Sequence, residues 1–125
     1  MAIVFDTYAW VEYFNGTSKG NLVKRYLERE EILTPIIVLL ELSYKADKEC
    51  WNFDNHLKFI KANSEIVGMN EEFVLLFGKF YNRIKKKVKK IGITDIIIIH
   101  TANVNNAKIL TGDPHFKEMN NVIML

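Results

Sequence analysis

Cysteine is almost absent from this chain, since Cys50 is the only one among 125 residues. A single cysteine can form neither a disulfide framework nor a zinc site of several thiolates within one chain. The three histidines do not have the paired spacing of a zinc motif, so a zinc site with histidine ligands is also disfavoured. These shortages predict a protein of a reducing compartment, the cytoplasm.

Long apolar runs, internal repeats and low-complexity tracts are missing as well. The run Ile36 to Leu40 is far shorter than the roughly 18 apolar residues of a membrane span. The start, Met1 to Asp6, lacks the basic segment and the length of a secretory signal. The net charge of +2 says little about partners. We therefore expect one domain, residues 1–125, with no membrane association.

Short apolar segments alternate with amphipathic segments along the chain. Apolar residues three and four positions apart predict helices in the amphipathic segments. The expected strands are Ala2 to Phe5, Ile32-Leu33, Glu65 to Val67, Ala107 to Leu110 and Val122 to Met124. Short buried strands that alternate with helices are typical of a parallel sheet covered on both faces. The sequence thus predicts an α/β three-layer sandwich with about five short parallel strands flanked by helices.

Local signals predict several helix ends. Asp6-Thr7 can start a short helix that Asn15-Gly16 ends. Thr34-Pro35 has the pattern of a cap followed by proline at the first helical position. Gly92 is expected to end the longest helix in a left-handed conformation. The run Ile96 to Ile99 could form a strand because it is β-branched, but the cap-like residue before it favours a buried helix.

Four acidic residues stand beside apolar segments. Asp6 follows the first strand, Glu41 interrupts an apolar helix, Asp95 opens the isoleucine run, and Asp113 follows the fourth strand. A carboxylate held against a core costs several kcal/mol unless something pairs with it. The carboxyl ends of parallel strands meet at one sheet edge, where ligands bind. We therefore expect these carboxylates to converge on one pocket.

A pocket of four carboxylates suits a hard divalent cation, because Mg²⁺ and Mn²⁺ prefer oxygen ligands. Each acid also has a plainer explanation. Asp6 and Asp95 could serve only as a helix cap or a first-turn acid, Glu41 could be solvated, and Asp113 could belong to a turn. Only their joint placement beside apolar segments favours a metal site, with Mg²⁺ or Mn²⁺ as the expected cofactor.

Two basic features have open interpretations. A cluster of cations without acids spans positions 79–90, and its densest part consists of Lys85, Lys86, Lys87, Lys89 and Lys90. These lysines are either a solvated helix end, where cations are favoured, or a surface that attracts RNA phosphates. His115 follows the last acid and is either a plain loop residue or a contact for phosphate or a proton.

The chain resembles the PIN-domain family and, within it, the VapC-like toxins of toxin–antitoxin pairs. The resemblance covers the whole chain in order and spacing. It is carried by four segments: Ile3 to Thr7, Thr34 to Leu42, Thr94-Asp95 with Ala102, and Leu110 to Phe116. Asp6, Glu41, Asp95 and Asp113 match the family's acidic positions, Thr7 belongs to the first segment, and Thr111 matches a small hydroxyl position.

The resemblance implies a five-stranded PIN-like fold and a metal-dependent endoribonuclease that hydrolyses phosphodiesters of exposed RNA. It implies the toxin of a type II toxin–antitoxin pair, a homodimer, held inactive by a small antitoxin whose tail enters the acidic groove. Two departures stand out. Tyr8 replaces the usual small polar residue and could narrow the pocket or stack on a base, and Ile96 to Ile99 replaces an alanine-rich helix start.

Two alternatives remain on sequence grounds. The first is a non-catalytic PIN-like module that binds RNA or a protein. The second is a receiver-like signalling domain, whose fold also gathers acids at a sheet edge. That second class needs paired acids after the first strand and an acceptor aspartate after a middle strand. It is disfavoured because Asp6 stands alone and the segment Glu65 to Val67 ends without an aspartate.

Overall fold

The computed structural model describes all 125 residues, which form a five-stranded sheet flanked by six α-helices. The strands are β1 (Ala2–Phe5), β2 (Glu31–Pro35), β3 (Glu65–Val67), β4 (Lys108–Thr111) and β5 (Val122–Met124). The helices are α1 (Thr7–Asn15), α2 (Ser18–Arg29), α3 (Ile36–Glu49), α4 (Phe53–Asn63), α5 (Glu71–Lys87) and α6 (Ile93–Val104), with a 3₁₀ turn at Pro114–Phe116. The predicted α/β class and the five short strands are confirmed.

The strand order is β3-β2-β1-β4-β5, and every neighbouring pair is parallel. The chain first builds outward from β1 through β2 to β3, then crosses back and builds β4 and β5 on the other side. The direction of winding therefore reverses between β1 and β4. In open parallel sheets, the crevice outside the carboxyl ends of the strands at this reversal is the usual ligand site.

The core lies on the central strands. Ile3, Val4 and Phe5 of β1 are fully buried, since β1 is covered on both faces. Trp10 of α1 is also fully buried, and its ring meets Phe5 edge-on at a centroid distance of 5.1 Å. Its Nε1 donates a hydrogen bond to Thr34 Oγ1 at 3.2 Å, which satisfies the polar atom inside the core. This packing fixes α1 against β1 and β2.

The observed helix ends agree in part with those predicted from the sequence. Helix α1 starts after Asp6 and ends at Gly16, which has φ 65° in the left-handed region, and the isoleucine run is helical in α6. A helix does start at Thr34-Pro35, one residue later than predicted: α3 begins at Ile36 with Pro35 as its N-cap, because Thr34 and Pro35 still pair with β3 as the end of β2. Gly92 is not a left-handed cap. It has φ −86° and precedes α6, because α5 already stops at Lys87.

The early end of α5 has a physical reason. Ile91 is fully buried, so the chain between α5 and α6 must turn inward before the helix could reach it. Lys85 Nζ donates to Ile91 O at 2.6 Å and secures this turn.

None of the helices has both the length and the apolar character needed to cross a membrane.

Candidate metal centre

The two central strands deliver the first pair of carboxylates. Asp6 directly follows β1, and Asp113 follows β4 after one intervening glycine. Because β1 and β4 are adjacent and parallel, with Phe5 opposite Leu110, both residues leave the sheet at the same edge and side by side. This edge is the crevice where the winding reverses, as the sequence predicted for these two acids.

Two helices deliver the other pair. Asp95 lies in the first turn of α6, and Glu41 lies in the second turn of α3. Burial and the charges of Asp113 and Glu41 raise the pKa of Asp95, and burial and the charges of Asp113 and Asp95 raise the pKa of Asp6, so the four acids are close enough to interact. The four predicted acids therefore face one common space.

The tightest group in this space includes a histidine. One ligand atom each from Asp95, Asp113 and His115 lies within 4.8 Å of the others. His115 Nδ1 is 3.3 Å from Asp113 Oδ1 and 3.8 Å from Asp95 Oδ2. The sequence left His115 open between a loop residue and a functional contact. In the folded chain its imidazole lies beside two carboxylates.

Asp6 is the most perturbed acid. Its side chain is only 3% exposed, and Oδ1 accepts a hydrogen bond from Ala9 N at 2.9 Å as the cap of α1. Burial raises the pKa of Asp6 to about 7, assisted by the neighbouring acids and opposed by hydrogen bonds from Thr111 and Ala9. Near neutral pH this carboxyl therefore lies close to its protonation midpoint, and a bound cation would favour its charged form.

Thr111 links the two strand acids. Its Oγ1 accepts a hydrogen bond from Asp113 N at 3.0 Å. The same hydroxyl group lies beside Asp6 and lowers the pKa of that carboxyl. The residue is fully buried at the end of β4. Because its hydroxyl group contacts both segments, Thr111 holds the two acid-bearing loops in a defined relation.

Asp95 is partly buried and also perturbed. Burial is the largest cause that raises its pKa to about 6, followed by the charges of Asp113 and Glu41. His115 and a hydrogen bond with the backbone of Gly92 act in the opposite direction. Two carboxyls at one pocket with pKa values above their ordinary range mark a place where acids are buried and also lie close to one another.

Glu41 is not a freely solvated helix residue. Thr7 Oγ1 donates a hydrogen bond to Glu41 Oε1 at 2.7 Å. Thr7 is the first residue of α1 and directly follows Asp6. The hydroxyl group therefore orients the carboxylate of Glu41 and ties α3 to the loop that carries Asp6.

The site contains no permanent basic partner. The ion pairs of the whole chain are Met1 with Glu30 and His115 with Asp95 and Asp113, so no lysine or arginine lies within 4.0 Å of the four acids. The predicted lysine cluster, at the end of α5 and after it, pairs with none of these acids either. Oxygen donors with uncompensated charge fit Mg²⁺ or Mn²⁺ better than zinc, which favours nitrogen and sulfur.

Sequence reasoning missed a second layer around the acids. A Cβ atom on Gly112 would lie 2.2 Å from Tyr8 Cε1, so the Tyr8 ring lies directly on the main chain before Asp113. Lys19 Nζ donates to Tyr8 Oη at 3.0 Å, which raises the pKa of Lys19. The glycine beside the acid was visible in the sequence. The lysine was not, because its contact depends on how α2 packs on α1.

Comparison with known proteins agrees with this geometry. The sequence profile described as the PIN domain matches residues 3–122. Among curated proteins, none matches the chain significantly. Among solved structures, VapBC2 from Rickettsia felis, crystallised with a DNA fragment from its promoter, has a TM-score of 0.78 at 24% identity, covering 100% of this chain and 98% of its own.

Two further structures show the same fold. VapBC-1 from nontypeable Haemophilus influenzae has a TM-score of 0.73 at 22% identity, covering 100% of this chain and 97% of its own. VapC20 from Mycobacterium tuberculosis, a sarcin–ricin loop cleaving toxin, has a TM-score of 0.74 at 12% identity and covers 96% of each chain. At these identities the likeness establishes the fold. Together with the profile match over nearly every residue, it shows that the chain belongs to the PIN domain family.

Proposed function

We propose that this protein is a metal-dependent endoribonuclease and the toxin of a type II toxin–antitoxin pair. The observation that carries the proposal is the crowding of Asp6, Glu41, Asp95 and Asp113 at one sheet edge without a lysine or arginine partner. A purely structural site would favour pairing of such acids, whereas a cation site needs them free.

Mg²⁺ or Mn²⁺ would be held by Asp6, Asp95 and Asp113, with Glu41 completing the site directly or through water. When bound, such an ion activates water and stabilises the charge that develops at a phosphodiester. The residues of the chain have separate tasks. Thr7 orients Glu41, and Thr111 keeps the loops of Asp6 and Asp113 in register.

RNA is the proposed substrate because the family membership and the acidic pocket agree with phosphodiester chemistry. The relative VapC20 is a toxin that cleaves the sarcin–ricin loop. His115, exposed beside two of the acids, is suited to contact a phosphate. The lysines from Lys85 to Lys90 supply a basic surface that would attract RNA without reading its sequence.

A protein partner is proposed from the complexes in which several structural relatives were solved, including a toxin–antitoxin complex from Klebsiella pneumoniae. The partner would be a small antitoxin whose tail enters the acidic groove, and the toxin itself would be a homodimer. Exposed apolar side chains support contact with protein: Val74, Leu75 and Leu76 on α5 are 63%, 75% and 53% exposed. Light scattering of the purified chain should give twice its mass of 14.6 kDa.

The direct test compares cleavage of single-stranded RNA by the wild type, Asp6→Asn and Glu41→Gln in Mn²⁺ and in EDTA. We expect cleavage by the wild type only with metal, and a loss of about 100-fold or more in both variants. Asp47→Asn is the matched control, because Asp47 is an exposed acid on the same helix as Glu41. It should cleave as the wild type does.

The result that would overturn the proposal is equally plain. RNA binding that survives EDTA and both substitutions, without cleavage under any condition, would instead identify a non-catalytic binding module. Mapping of cut ends in total cellular RNA after expression of the wild type and of Asp6→Asn would identify the target. A short open reading frame directly before the gene would supply the antitoxin for co-purification.

A further inference from the structure

Lys19 and Tyr8 form a pair at the margin of the acidic pocket. Lys19 Nζ donates to Tyr8 Oη at 3.0 Å, and the same nitrogen lies 5.3 Å from the centre of the Tyr8 ring. Only two lysines in the chain donate a side-chain hydrogen bond. One is Lys85, which secures a turn far along the chain, and the other is Lys19.

Tyr8 connects this lysine to the acids through two contacts. It is the second residue of α1, which Asp6 caps. Its ring also lies on Gly112, where a Cβ atom would approach three ring carbons to between 2.2 and 2.8 Å. Gly112 directly precedes Asp113. The Tyr8 ring therefore contacts both the ammonium of Lys19 and the main chain that precedes Asp113.

The position of Lys19 is set by a rigid junction between α1 and α2. Thr17 caps α2 by accepting a hydrogen bond from Gly20 N at 3.0 Å. A Cβ atom on Gly20 would lie 2.2 Å from Glu12 O, so the first turn of α2 packs against the backbone of α1. Lys19 lies on this first turn, so the packing of α2 on α1 places its main chain near Tyr8, and the hydrogen bond to Tyr8 Oη holds its ammonium there.

The charges around the pocket make a cation at this place useful. A nucleic acid strand that approaches Asp6, Glu41, Asp95 and Asp113 meets four acids that carry no lysine or arginine partner. A metal ion offsets this repulsion only at the phosphate it touches. A fixed ammonium beside the pocket can bind a neighbouring phosphate and keep the strand in register.

From this arrangement we infer that Lys19, oriented by the Tyr8 phenol group, binds a backbone phosphate of the RNA strand next to the one that is cut. The inference rests on the proposed ribonuclease function and names a substrate-positioning pair within it. Tyr8 acts through Lys19 and is a positioning residue.

The test measures how RNA binding depends on salt. Lys19→Met removes the charge and keeps most of the stem, and Lys24→Met is the control because Lys24 is an exposed lysine on the same helix. Binding of a labelled single-stranded RNA is followed by fluorescence anisotropy in an Asp6→Asn background, at several salt concentrations. Lys19→Met should reduce the slope of log affinity against log salt by about 0.7, as expected for one lost phosphate contact, while Lys24→Met should leave it unchanged.

Tyr8→Phe separates orientation from charge. It keeps the ring on Gly112 and removes the phenol oxygen, so it should weaken RNA binding less than Lys19→Met does. In a Lys19→Met background, Tyr8→Phe should have no further effect, because the two residues act as a unit. In a chain with wild-type acids, Lys19→Met should raise KM about threefold to tenfold and leave kcat within about twofold.

The outcomes distinguish this inference from the proposed function. If the wild type cleaves RNA but Lys19→Met matches Lys24→Met in salt slope and KM, the Lys19 inference fails and the ribonuclease stands. If the wild type does not cleave but Lys19→Met alone loses salt slope, the ribonuclease fails and the phosphate contact stands. A lower melting temperature of Lys19→Met with an unchanged salt slope would show that the pair only fastens α1 to α2.

Discussion

Thr7 Oγ1 donates a hydrogen bond to Glu41 Oε1 at 2.7 Å, although 34 positions separate the two residues in the chain. The bond joins the first residue of α1 to the second turn of α3. It thereby connects the loop of Asp6 to the only predicted site acid that comes from α3. A hydroxyl group that orients a partly buried carboxylate is a small feature with a measurable effect.

We predict that Thr7→Val lowers the cleavage rate constant about tenfold, because Glu41 loses the donor that orients it. A tenfold change corresponds to about 1.4 kcal/mol, close to the lower limit for a hydrogen bond to a charged group. Thr7→Ser retains the hydroxyl group and should stay near the wild type. A Thr7→Val protein that is less stable but cleaves at the wild-type rate would show that this hydroxyl group does not orient Glu41 for the reaction.

A second prediction concerns the dependence of stability on pH. Burial raises the pKa of Asp6 from 3.8 to about 7, so the folded state holds this proton more tightly than the unfolded chain. The associated stability is fully present below about pH 4 and is lost as the pH rises toward 7. Without metal, the free energy of unfolding should therefore decline over this window.

Asp6→Asn should remove most of that decline. Asparagine keeps the capping oxygen for Ala9 N but does not ionise, so the variant should exceed the wild type at pH 8 by up to about 4 kcal/mol. Urea unfolding at pH 5 and pH 8 in EDTA measures the difference. A variant that is less stable than the wild type at pH 8 would contradict the prediction. Asp95, whose pKa is about 6, should still cause a smaller decline in the free energy of unfolding of this variant as the pH rises.

A third prediction concerns metal binding without RNA. Mg²⁺ or Mn²⁺ at about 100 times its Kd should stabilise the protein by about 2.7 kcal/mol. At one fixed metal concentration the stabilisation should be larger at pH 8 than at pH 5, because Asp6 and Asp95 with pKa values of about 7 and about 6 must lose their protons to bind a cation. Thermal melts with and without metal measure it.

The controls for the metal prediction use two substitutions of the same type. Asp95→Asn should abolish the metal-induced rise in melting temperature. Asp47→Asn, which alters an exposed acid outside the pocket, should preserve it. An equal rise in both variants would mean that the ion binds elsewhere on the protein.

A fourth prediction tests the packing of Tyr8 on Gly112. Gly112→Ala would place a methyl group 2.2 Å from Tyr8 Cε1, so the ring must move and the protein should lose about 1–3 kcal/mol of stability. Gly78→Ala is the control, because Gly78 lies in α5 with open space around it and its substitution should be neutral or stabilising. Tyr8→Ala combined with Gly112→Ala should recover part of the loss, and full additivity of the two changes would argue against the contact.

Much of the candidate site was predictable because its signals are local. A carboxylate directly after a short apolar segment reports the end of a buried strand, and this reasoning located Asp6 and Asp113 correctly at the carboxyl edge. Asp95 and Glu41 were predictable from their places in helices that approach the same edge. Their assignment as metal ligands remains a prediction that the experiments above address.

Other features were mispredicted or missed because competing non-local packing decides them. The helix that Thr34-Pro35 predicts begins one residue late, because pairing with β3 extends β2 through both residues. Gly92 has the pattern of a helix end, yet the burial of Ile91 stops α5 earlier. At Gly92 the free energy of burying an apolar side chain exceeds a capping preference of about 1 kcal/mol.

The amino-acid sequence by itself determined the α/β class, the five strands and the four acidic positions, since periodicity and strand-end residues are properties of neighbouring positions. The tertiary structure alone decided that His115 lies beside Asp95 and Asp113, that Thr7 reaches Glu41, and that Lys19 reaches Tyr8. These contacts join segments whose approach depends on how helices pack on the sheet. No local sequence pattern encodes how closely these segments approach each other, because their approach results from the packing of the whole core.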